Sequence, residues 1–122
     1  MVRKWGGIDI LVNNASALDR SNTESLSMKK YDLMMQINTR GTYMMSKYCL
    51  PYLKKAANPH ILIMGPPYEC LYPGEVRPAK RNWFNAHVAY SIAKVGMTLC
   101  AEGMSAEFKD YGVAVNSLWP RT

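Results

Sequence analysis

Residues 8–12, with the sequence IDILV, form a short and nearly continuous run of apolar, mostly β-branched side chains. A run of this kind is typical of a strand that is buried on both faces of a parallel sheet. The polar sequence NNAS at residues 13–16 ends the run. Two similar apolar runs, ILIM at residues 61–64 and VAVNSL at residues 113–118, are each followed closely by proline. We therefore predict three short buried strands.

Two stretches with helical periodicity separate these strands. The first covers residues 28–55 and follows Ser27, a residue type that caps helices well. Its predicted inner face consists of side chains that recur every three or four residues: Tyr31, Met34, Asn38, Gly41, Met45, Tyr48 and Tyr52. A glycine inside a helix costs about 1 kcal/mol relative to alanine, so we expect Gly41 to permit close approach of another backbone. The second helix covers residues 86–109, and Gly112 marks the turn after it.

The order strand, helix, strand, helix, strand predicts an α/β fold with parallel strands and right-handed crossovers. The expected architecture is a three-layer, doubly wound, Rossmann-like parallel sheet. Three strands alone leave a very apolar edge, which proteins normally avoid, so we expect the sheet to be incomplete. Residues 1–122 contain no linker or repeat and are interpreted as one partial domain.

Charge and hydropathy argue against several other classes of protein. The net charge is +6, from 15 basic and 9 acidic residues, but the basic residues are scattered and do not alternate with aromatics. We therefore predict no nucleic-acid partner. No apolar run approaches the roughly 20 residues that span a bilayer, so no membrane span is expected. Asp9 interrupts the first apolar run and no cleavage site follows, which argues against a signal peptide.

Cysteine and histidine give no sign of a metal centre or a disulfide framework. The three cysteines, Cys49, Cys70 and Cys100, are widely spaced and show no ligand spacing. Free thiols in a reducing compartment are the simplest interpretation. His60 and His87 stand far apart in the sequence, with no neighbouring nucleophile, and both are interpreted as structural. We predict no metal site.

Tyr90 and Lys94 are the residues best suited to chemistry. Their four-residue spacing places both side chains on one face of the second helix. A phenol has an ordinary pKa near 10, and a neighbouring ammonium is expected to lower it toward the range that general acid/base catalysis uses. In open parallel sheets, ligands bind at the carboxyl ends of the strands. By itself the spacing also fits a surface pair with no chemical role.

Four motifs in order make the chain resemble the short-chain dehydrogenase/reductase family. They are NNAS at residues 13–16, Asn38 in the first helix, YSIAK at residues 90–94 and NSLWP at residues 116–120. The sequence of residues 7–16, 33–43 and 115–122 most resembles that of the hydroxysteroid dehydrogenase-like group, whose best-known members are peroxisomal or mitochondrial. The resemblance covers essentially the whole chain and corresponds to the central and C-terminal part of the family's domain.

This resemblance implies a role for individual residues. Tyr90 would exchange a proton with the substrate oxygen, Lys94 would lower the Tyr90 pKa and hold the nicotinamide ribose, and Asn38 would anchor a relay water. The catalytic residues implied are thus Asn38, Tyr90 and Lys94. The cofactor-binding residues implied are Asn14, Ala15, Tyr90, Lys94, Pro120 and Thr122.

The activity implied is hydride transfer between NADP(H) or NAD(H) and a small-molecule hydroxyl or carbonyl substrate. The two long helices would form a homo-oligomer interface, and the location would be intracellular, either cytoplasmic or peroxisomal/mitochondrial. Two departures favour an alternative, a truncated non-catalytic fragment or pseudoenzyme. The sequence GPP at residues 65–67 stands where the family places a serine, and no glycine-rich pyrophosphate motif occurs. Residues 68–85 are expected to form a long surface loop.

Overall fold

The computed structural model describes residues 1–66 and 86–120, and all structural statements concern these two ranges. Pro67, Cys70 and the loop predicted at residues 68–85 lie outside them. The strands are β1 (Ile10–Asn13), β2 (His60–Ile63) and β3 (Ala114–Ser117). The α-helices are α1 (Val2–Trp5), α2 (Met28–Met34), α3 (Gly41–Leu53) and α4 (Val88–Glu107), with a π-helical segment at Met35–Arg40 and a 3-10 turn at Lys109–Tyr111.

The three strands form one parallel sheet in the order β1-β2-β3. His60 is the register partner of both Ile10 and Ala114, so β2 is the central strand of the three. Parallel neighbours need a crossover connection, and the helices between the strands supply it. The parallel Rossmann-like architecture predicted from the sequence is therefore confirmed.

Within the described residues, the helices cover one face of the sheet. α3 packs against β1 and β2, α4 packs against β2 and β3, and the two helices contact each other. Ile61, Ile63 and Val115 point into this layer and are buried, whereas Ile10 and Val12 remain 59% and 52% exposed. The prediction that the first strand is buried on both faces is wrong for these residues. Two successive right-handed crossovers in the same direction place both helices on the same face.

The helix predicted at residues 28–55 is continuous from α2 to α3, but the π-helical segment changes its inner face. Up to and within this segment the buried positions are Met34 and Asn38, as predicted. After it, the buried residues are Thr42, Ser46, Cys49 and Leu53, each one position later than the predicted Gly41, Met45, Tyr48 and Tyr52. A π-turn contains an extra residue, so it moves the following side chains around the axis. The predicted face is wrong beyond Asn38.

α4 packs closely against the π-helical segment at Gly96. A Cβ atom at this glycine would lie 2.7 Å from both Cγ2 and Oγ1 of Thr39. The Thr39 hydroxyl also donates to the Ala93 carbonyl over 2.9 Å, which holds the side chain in place. At Gly41, in contrast, the nearest such atom is the Gln36 carbonyl of the same helix. The close approach predicted at Gly41 is therefore found at Gly96.

The predicted helix and turn signals at Ser27 and Gly112 are confirmed. The Ser27 side chain accepts a hydrogen bond from the Lys30 backbone N–H over 3.3 Å and caps α2. Gly112 has φ 70° and ends the 3-10 turn, a left-handed conformation that glycine adopts without steric cost. In residues 1–66 and 86–120, no helix is both long enough and apolar enough to cross a bilayer.

We expect Gly96→Ala to destabilise the protein. The added methyl group meets a β-branched side chain that is already hydrogen-bonded, and such overpacking costs about 1–3 kcal/mol. This cost outweighs the roughly 1 kcal/mol that alanine contributes to helix propensity. Urea unfolding followed by circular dichroism measures the difference.

Gly103→Ala, on the same helix, is the matched control. A Cβ atom at Gly103 meets nothing within 4 Å, so the substitution should stabilise the protein by about 1 kcal/mol. A Gly96→Ala variant that gains stability as Gly103→Ala does would contradict the tight contact with Thr39.

Candidate active site

The segments after the carboxyl ends of the strands and the first half of α4 line a cavity of about 390 Å³ that is partly open to solvent. Parallel strands carry the segments that follow them to the same edge of the sheet, so three separate loops meet there. Tyr90 and Lys94 share this cavity with two of the predicted cofactor-binding residues, Asn14 and Pro120. The full lining consists of Asn14, Ser16, Leu18, Met64, Gly65, Pro66, Tyr90, Lys94, Leu118, Trp119 and Pro120.

The Lys94 side chain extends from α4 to the end of β2 and is hydrogen-bonded there. Its Nζ donates a hydrogen bond to the main-chain carbonyl of Met64 over 3.1 Å. An ammonium group carries three donors, so this bond uses one of them. Tyr90 lies one helical turn earlier on the same face of α4, and both residues are partly buried.

Burial controls the ionisation of this pair. It raises the pKa of the Tyr90 phenol above its ordinary value, while the positive charge of Arg20 acts in the opposite direction. Burial also lowers the pKa of the Lys94 ammonium. In both cases the low-dielectric surroundings disfavour the charged form. The pKa of the Tyr90 phenol is therefore raised in this structure, and the role of Lys94 in lowering it stays a prediction.

Arg20 is an electrostatic neighbour of Tyr90 that the sequence pattern does not reveal. It lies in the loop between β1 and α2, and its charge lowers the pKa of the Tyr90 phenol. The loop has no hydrophobic period, so nothing in the sequence relates position 20 to position 90. The tertiary fold creates this proximity.

His87, which is interpreted from the sequence as structural, contacts Tyr90 at the edge of the site. It occupies the N-cap position of α4, and its ring meets the Tyr90 ring edge-on with centroids 5.8 Å apart. Its Nδ1 lies 3.1 Å from the Ser91 hydroxyl, which itself donates to the His87 carbonyl over 3.0 Å. The four-residue spacing of His87 and Ser91 was the signal available in the sequence.

Asn38 fastens the loop that borders the cavity. Its side-chain oxygen accepts a hydrogen bond from the Ala17 N–H over 2.7 Å, and its amide nitrogen donates to the Ala17 carbonyl over 3.1 Å. The residue is 0% exposed and lies within the π-helical segment. Both main-chain polar groups of Ala17 are thereby satisfied from inside the protein. The water-anchoring role implied for Asn38 stays a prediction.

The predicted cofactor-binding residues at the end of β1 divide between two cavities. Asn14 lines the cavity with Tyr90 and also a neighbouring cavity of about 240 Å³ between β1 and α3. Ala15 lines only the latter of these two. Just before them, Asn13 donates from Nδ2 to the Ser46 hydroxyl over 3.1 Å, which ties β1 to α3. Thr122 lies outside the described residues.

Gly65 and Pro66, the last described residues after β2, present no hydroxyl to the cavity. Gly65 has no side chain, and a Cβ atom there would point at Thr98, 2.6 Å from its Oγ1. The Thr98 hydroxyl is already used, since it donates to the Pro66 carbonyl over 2.6 Å and is buried. Pro66 has no N–H to offer. At Gly65 and Pro66 the structure therefore offers no hydroxyl in place of the serine that the family has after this strand.

No group of three or more His, Cys, Asp or Glu side chains in residues 1–66 and 86–120 is arranged to hold a metal ion. Asp19, in the loop between β1 and α2, pairs with Lys30 over 2.7 Å. The polar side-chain groups that line the cavity are a phenol, an ammonium, an amide, a hydroxyl and an indole.

We expect Asn38→Asp to destabilise the protein at neutral pH and much less in acid. A protonated carboxyl can keep both bonds to Ala17, whereas a carboxylate loses the donor and is buried. Its pKa in the folded state should therefore be raised, and the stability is lost as pH rises above about 4. The loss should reach about 1–3 kcal/mol near pH 7, measured by urea unfolding at several pH values.

Asn22→Asp serves as the control, because Asn22 is exposed and its Oδ1 only accepts hydrogen bonds from Ser25. A carboxylate can accept the same bonds. If the free energy of unfolding of Asn38→Asp and of Asn22→Asp depended on pH in the same way, the buried hydrogen bonds between Asn38 and Ala17 would not contribute to stability as proposed.

Known proteins match the chain along its whole length. The family model for short chain dehydrogenase matches residues 1–122. Hydroxysteroid dehydrogenase-like protein 2 of Xenopus laevis is 57% identical over 121 residues, covering 99% of this chain and 27% of that protein. The chain thus spans about a quarter of the length of the curated relatives that it matches.

Solved structures share the fold. A putative dehydrogenase from Xanthomonas campestris superposes with a TM-score of 0.85 at 49% identity, covering 99% of this chain and 42% of that one. A second solved structure is a short-chain dehydrogenase/reductase of unknown function from Caenorhabditis elegans, determined with cofactor. It superposes with a TM-score of 0.75 at 23% identity, and the alignment covers 98% of this chain and 41% of that one. At this identity the similarity shows the fold alone. The chain therefore belongs to the short-chain dehydrogenase family.

Proposed function

We propose that this chain carries the proton-transfer part of an NADP(H)- or NAD(H)-linked oxidoreductase that acts on a hydroxyl or carbonyl group. The observation that carries the proposal is the position of Tyr90 and Lys94, which share one cavity with the carboxyl ends of all three strands. Ligands of open parallel sheets bind at that edge. Family membership supports the same type of reaction.

The residues around the cavity fit the nicotinamide end of such a cofactor. Tyr90 and Lys94 offer hydrogen-bond donors suited to ribose hydroxyls, while Leu118, Trp119 and Pro120 form an apolar wall suited to a flat ring. Asn14 lies on the opposite side, at the end of β1. We propose Asn14, Ala15, Tyr90, Lys94, Pro120 and Thr122 as the residues that hold the cofactor. When bound, the cofactor supplies or accepts the hydride.

Tyr90 would act as the general acid in carbonyl reduction. As the carbonyl carbon gains a hydride, its oxygen gains negative charge and takes the proton from the Tyr90 hydroxyl. In alcohol oxidation the phenolate takes the proton back. Burial raises the Tyr90 pKa, so the hydroxyl holds its proton at neutral pH and can donate it.

Lys94 would then replace the proton and stabilise the phenolate. Its ammonium lies one helical turn from Tyr90 and is oriented by the Met64 carbonyl. Because burial lowers the Lys94 pKa, its proton is easier to release than that of an exposed lysine. Asn38 is proposed to keep the loop before α2 in place beside this pair through its two hydrogen bonds to Ala17. We also propose that Asn38 anchors a water molecule that relays protons to Lys94.

A second candidate function is a non-catalytic one. Gly65 and Pro66 provide no donor where the family's serine would orient a carbonyl, and loss of one such donor costs about 10²–10³ in rate. The sequence also contains no glycine-rich pyrophosphate motif. A chain of this kind would bind partners rather than turn over substrate.

We further propose that the protein forms a homo-oligomer through its two long helices. Ile92 and Leu99 lie two turns apart on the outer face of α4 and are 44% and 54% exposed. Leu33 and Tyr48, on α2 and α3, are also exposed apolar or aromatic side chains. An intracellular location, cytoplasmic or peroxisomal/mitochondrial, is proposed from the resemblance to the hydroxysteroid dehydrogenase-like group.

We expect Tyr90→Phe to abolish carbonyl reduction but to weaken cofactor binding only by about the 0.5–1.5 kcal/mol of one lost hydrogen bond to the ribose. Removal of the hydroxyl takes away the acid, which contributes about 10²–10⁴ in rate. In the wild type, ionisation of Tyr90 should not reduce kcat/KM for carbonyl reduction below about pH 9, because burial raises the pKa of its phenol above the ordinary value near 10. Nicotinamide absorbance measures turnover, and cofactor fluorescence measures binding of NADPH and NADH.

Tyr111→Phe is the control, since Tyr111 lies in the 3-10 turn beyond α4 and its ring contact with Lys54 survives the change. Turnover equal in Tyr90→Phe and wild type would exclude Tyr90 as the acid. No saturable cofactor binding by the wild type, in the micromolar range or above, would favour the non-catalytic function.

We expect Leu99→Lys to reduce the oligomeric mass measured by sedimentation equilibrium. A charge at an apolar interface would be desolvated on assembly, whereas it is tolerated on an isolated surface. Ser105→Lys, on another exposed face of α4, should leave the mass unchanged. A monomeric wild type, or equal masses for both variants, would rule out the outer face of α4 as the interface.

A further inference from the structure

We propose that the Ser16 hydroxyl hydrogen-bonds the reacting oxygen of the substrate, in place of the serine that is missing after β2. This inference rests on the proposed function, which requires a carbonyl or hydroxyl group beside Tyr90. Ser16 lines the same cavity as Tyr90 and Lys94, on the loop that follows β1. Its hydroxyl would be the second donor to that oxygen.

The residues that the structure describes directly after β2 and Met64, namely Gly65 and Pro66, carry no hydroxyl that could be this donor. At Gly65 the Cβ direction leads toward Thr98 in the buried layer and ends 2.6 Å from Thr98 Oγ1 and 3.2 Å from its backbone nitrogen. A serine side chain placed there would therefore begin in close contact with Thr98. Pro66 has no backbone N–H.

Two other nearby hydroxyls are already engaged. Thr98 donates to the Pro66 carbonyl over 2.6 Å and is buried. Ser91 donates to the His87 carbonyl over 3.0 Å and also meets the His87 ring, and it is buried as well. Neither side chain lines the cavity.

Ser16 meets the requirements that these residues fail. It is exposed, and its hydroxyl makes a contact of 3.5 Å with the Ala17 carbonyl, at the outer limit of a hydrogen bond. Rotation about one side-chain bond can redirect such a hydroxyl to a ligand. The backbone is nevertheless fixed, because Asn38 bonds both main-chain groups of the next residue, Ala17.

The fixed backbone is what makes this hydroxyl useful for recognition. A donor on a rigid support loses little conformational freedom when it binds, so more of the hydrogen-bond energy appears as affinity. Tyr90 approaches from α4, whereas Ser16 lies on the β1 loop. Two donors from separate elements would orient a carbonyl between them.

The test measures binding of 4-fluoroacetophenone, an aryl ketone, by fluorine NMR titration. We expect Ser16→Ala to weaken binding roughly 3- to 10-fold, which is the effect of one lost hydrogen bond, and Ser16→Thr to stay close to wild type. Ser25→Ala is the matched control, since Ser25 lies in the same loop but bonds only to Asn22 and does not line the cavity. Equal Kd values for Ser16→Ala and wild type, or no saturable binding by wild type, would overturn the proposal.

Turnover distinguishes this proposal from the function on which it rests. In an active wild type, Ser16→Ala should lower kcat/KM about 10²-fold at unchanged Tm, and Ser16→Thr should recover most of it. An active wild type whose kcat/KM is unaffected by Ser16→Ala would refute the role of Ser16. If the wild type binds the ketone through Ser16 but shows no hydride transfer with NADPH or NADH, the oxidoreductase function fails while the binding role of Ser16 is upheld.

Discussion

One face of α4 holds the core and the candidate site together. Its side chains recur in steps of four and three residues, which places them on a single helical stripe: Tyr90, Lys94, Met97, Ala101, Met104 and Phe108. The first two line the cavity, and the remaining four are buried in the core below the sheet. Because the same stripe serves both purposes, the hydrophobic packing of the helix also fixes the orientation of the proton-transfer pair. The close contact of Gly96 with Thr39 sets how near this helix lies to its neighbour.

The π-helical segment at Met35–Arg40 has a corresponding role on the other side of the cavity. It turns Asn38 inward to bond Ala17, and one turn later it brings Thr42 and Ser46 to the interior. Ser46 then accepts a hydrogen bond from Asn13 at the end of β1. The irregular turn thus converts a helix with an apolar pattern into one that presents polar groups to the strand and the loop. π-turns are often found at functional sites for this reason.

Desolvation, more than pairing of charges, sets the ionisation of the site. Burial shifts the pKa of both Tyr90 and Lys94 toward the neutral forms, while the charge of Arg20 acts on the phenol in the opposite direction. Such surroundings suit a hydroxyl that must keep its proton until a substrate oxygen develops charge. They also make each hydrogen bond in the cavity stronger than it would be in water. A missing donor at the end of β2 is therefore more significant here than it would be on an open surface.

The sequence by itself determined the order of elements, the parallel strands, the cap at Ser27, the turn at Gly112 and the pairing of Tyr90 with Lys94. These features depend on local periodicity and spacing, which a linear pattern carries directly. The tertiary structure decided the inner face beyond Asn38, the open face at Ile10 and Val12, and the positions of Arg20, His87 and Ser16 around the cavity. An extra residue in a helical turn leaves no mark on hydropathy, and a cavity is formed by segments distant in sequence. The direction of the Tyr90 pKa shift was likewise decided by burial, which only the packed structure fixes.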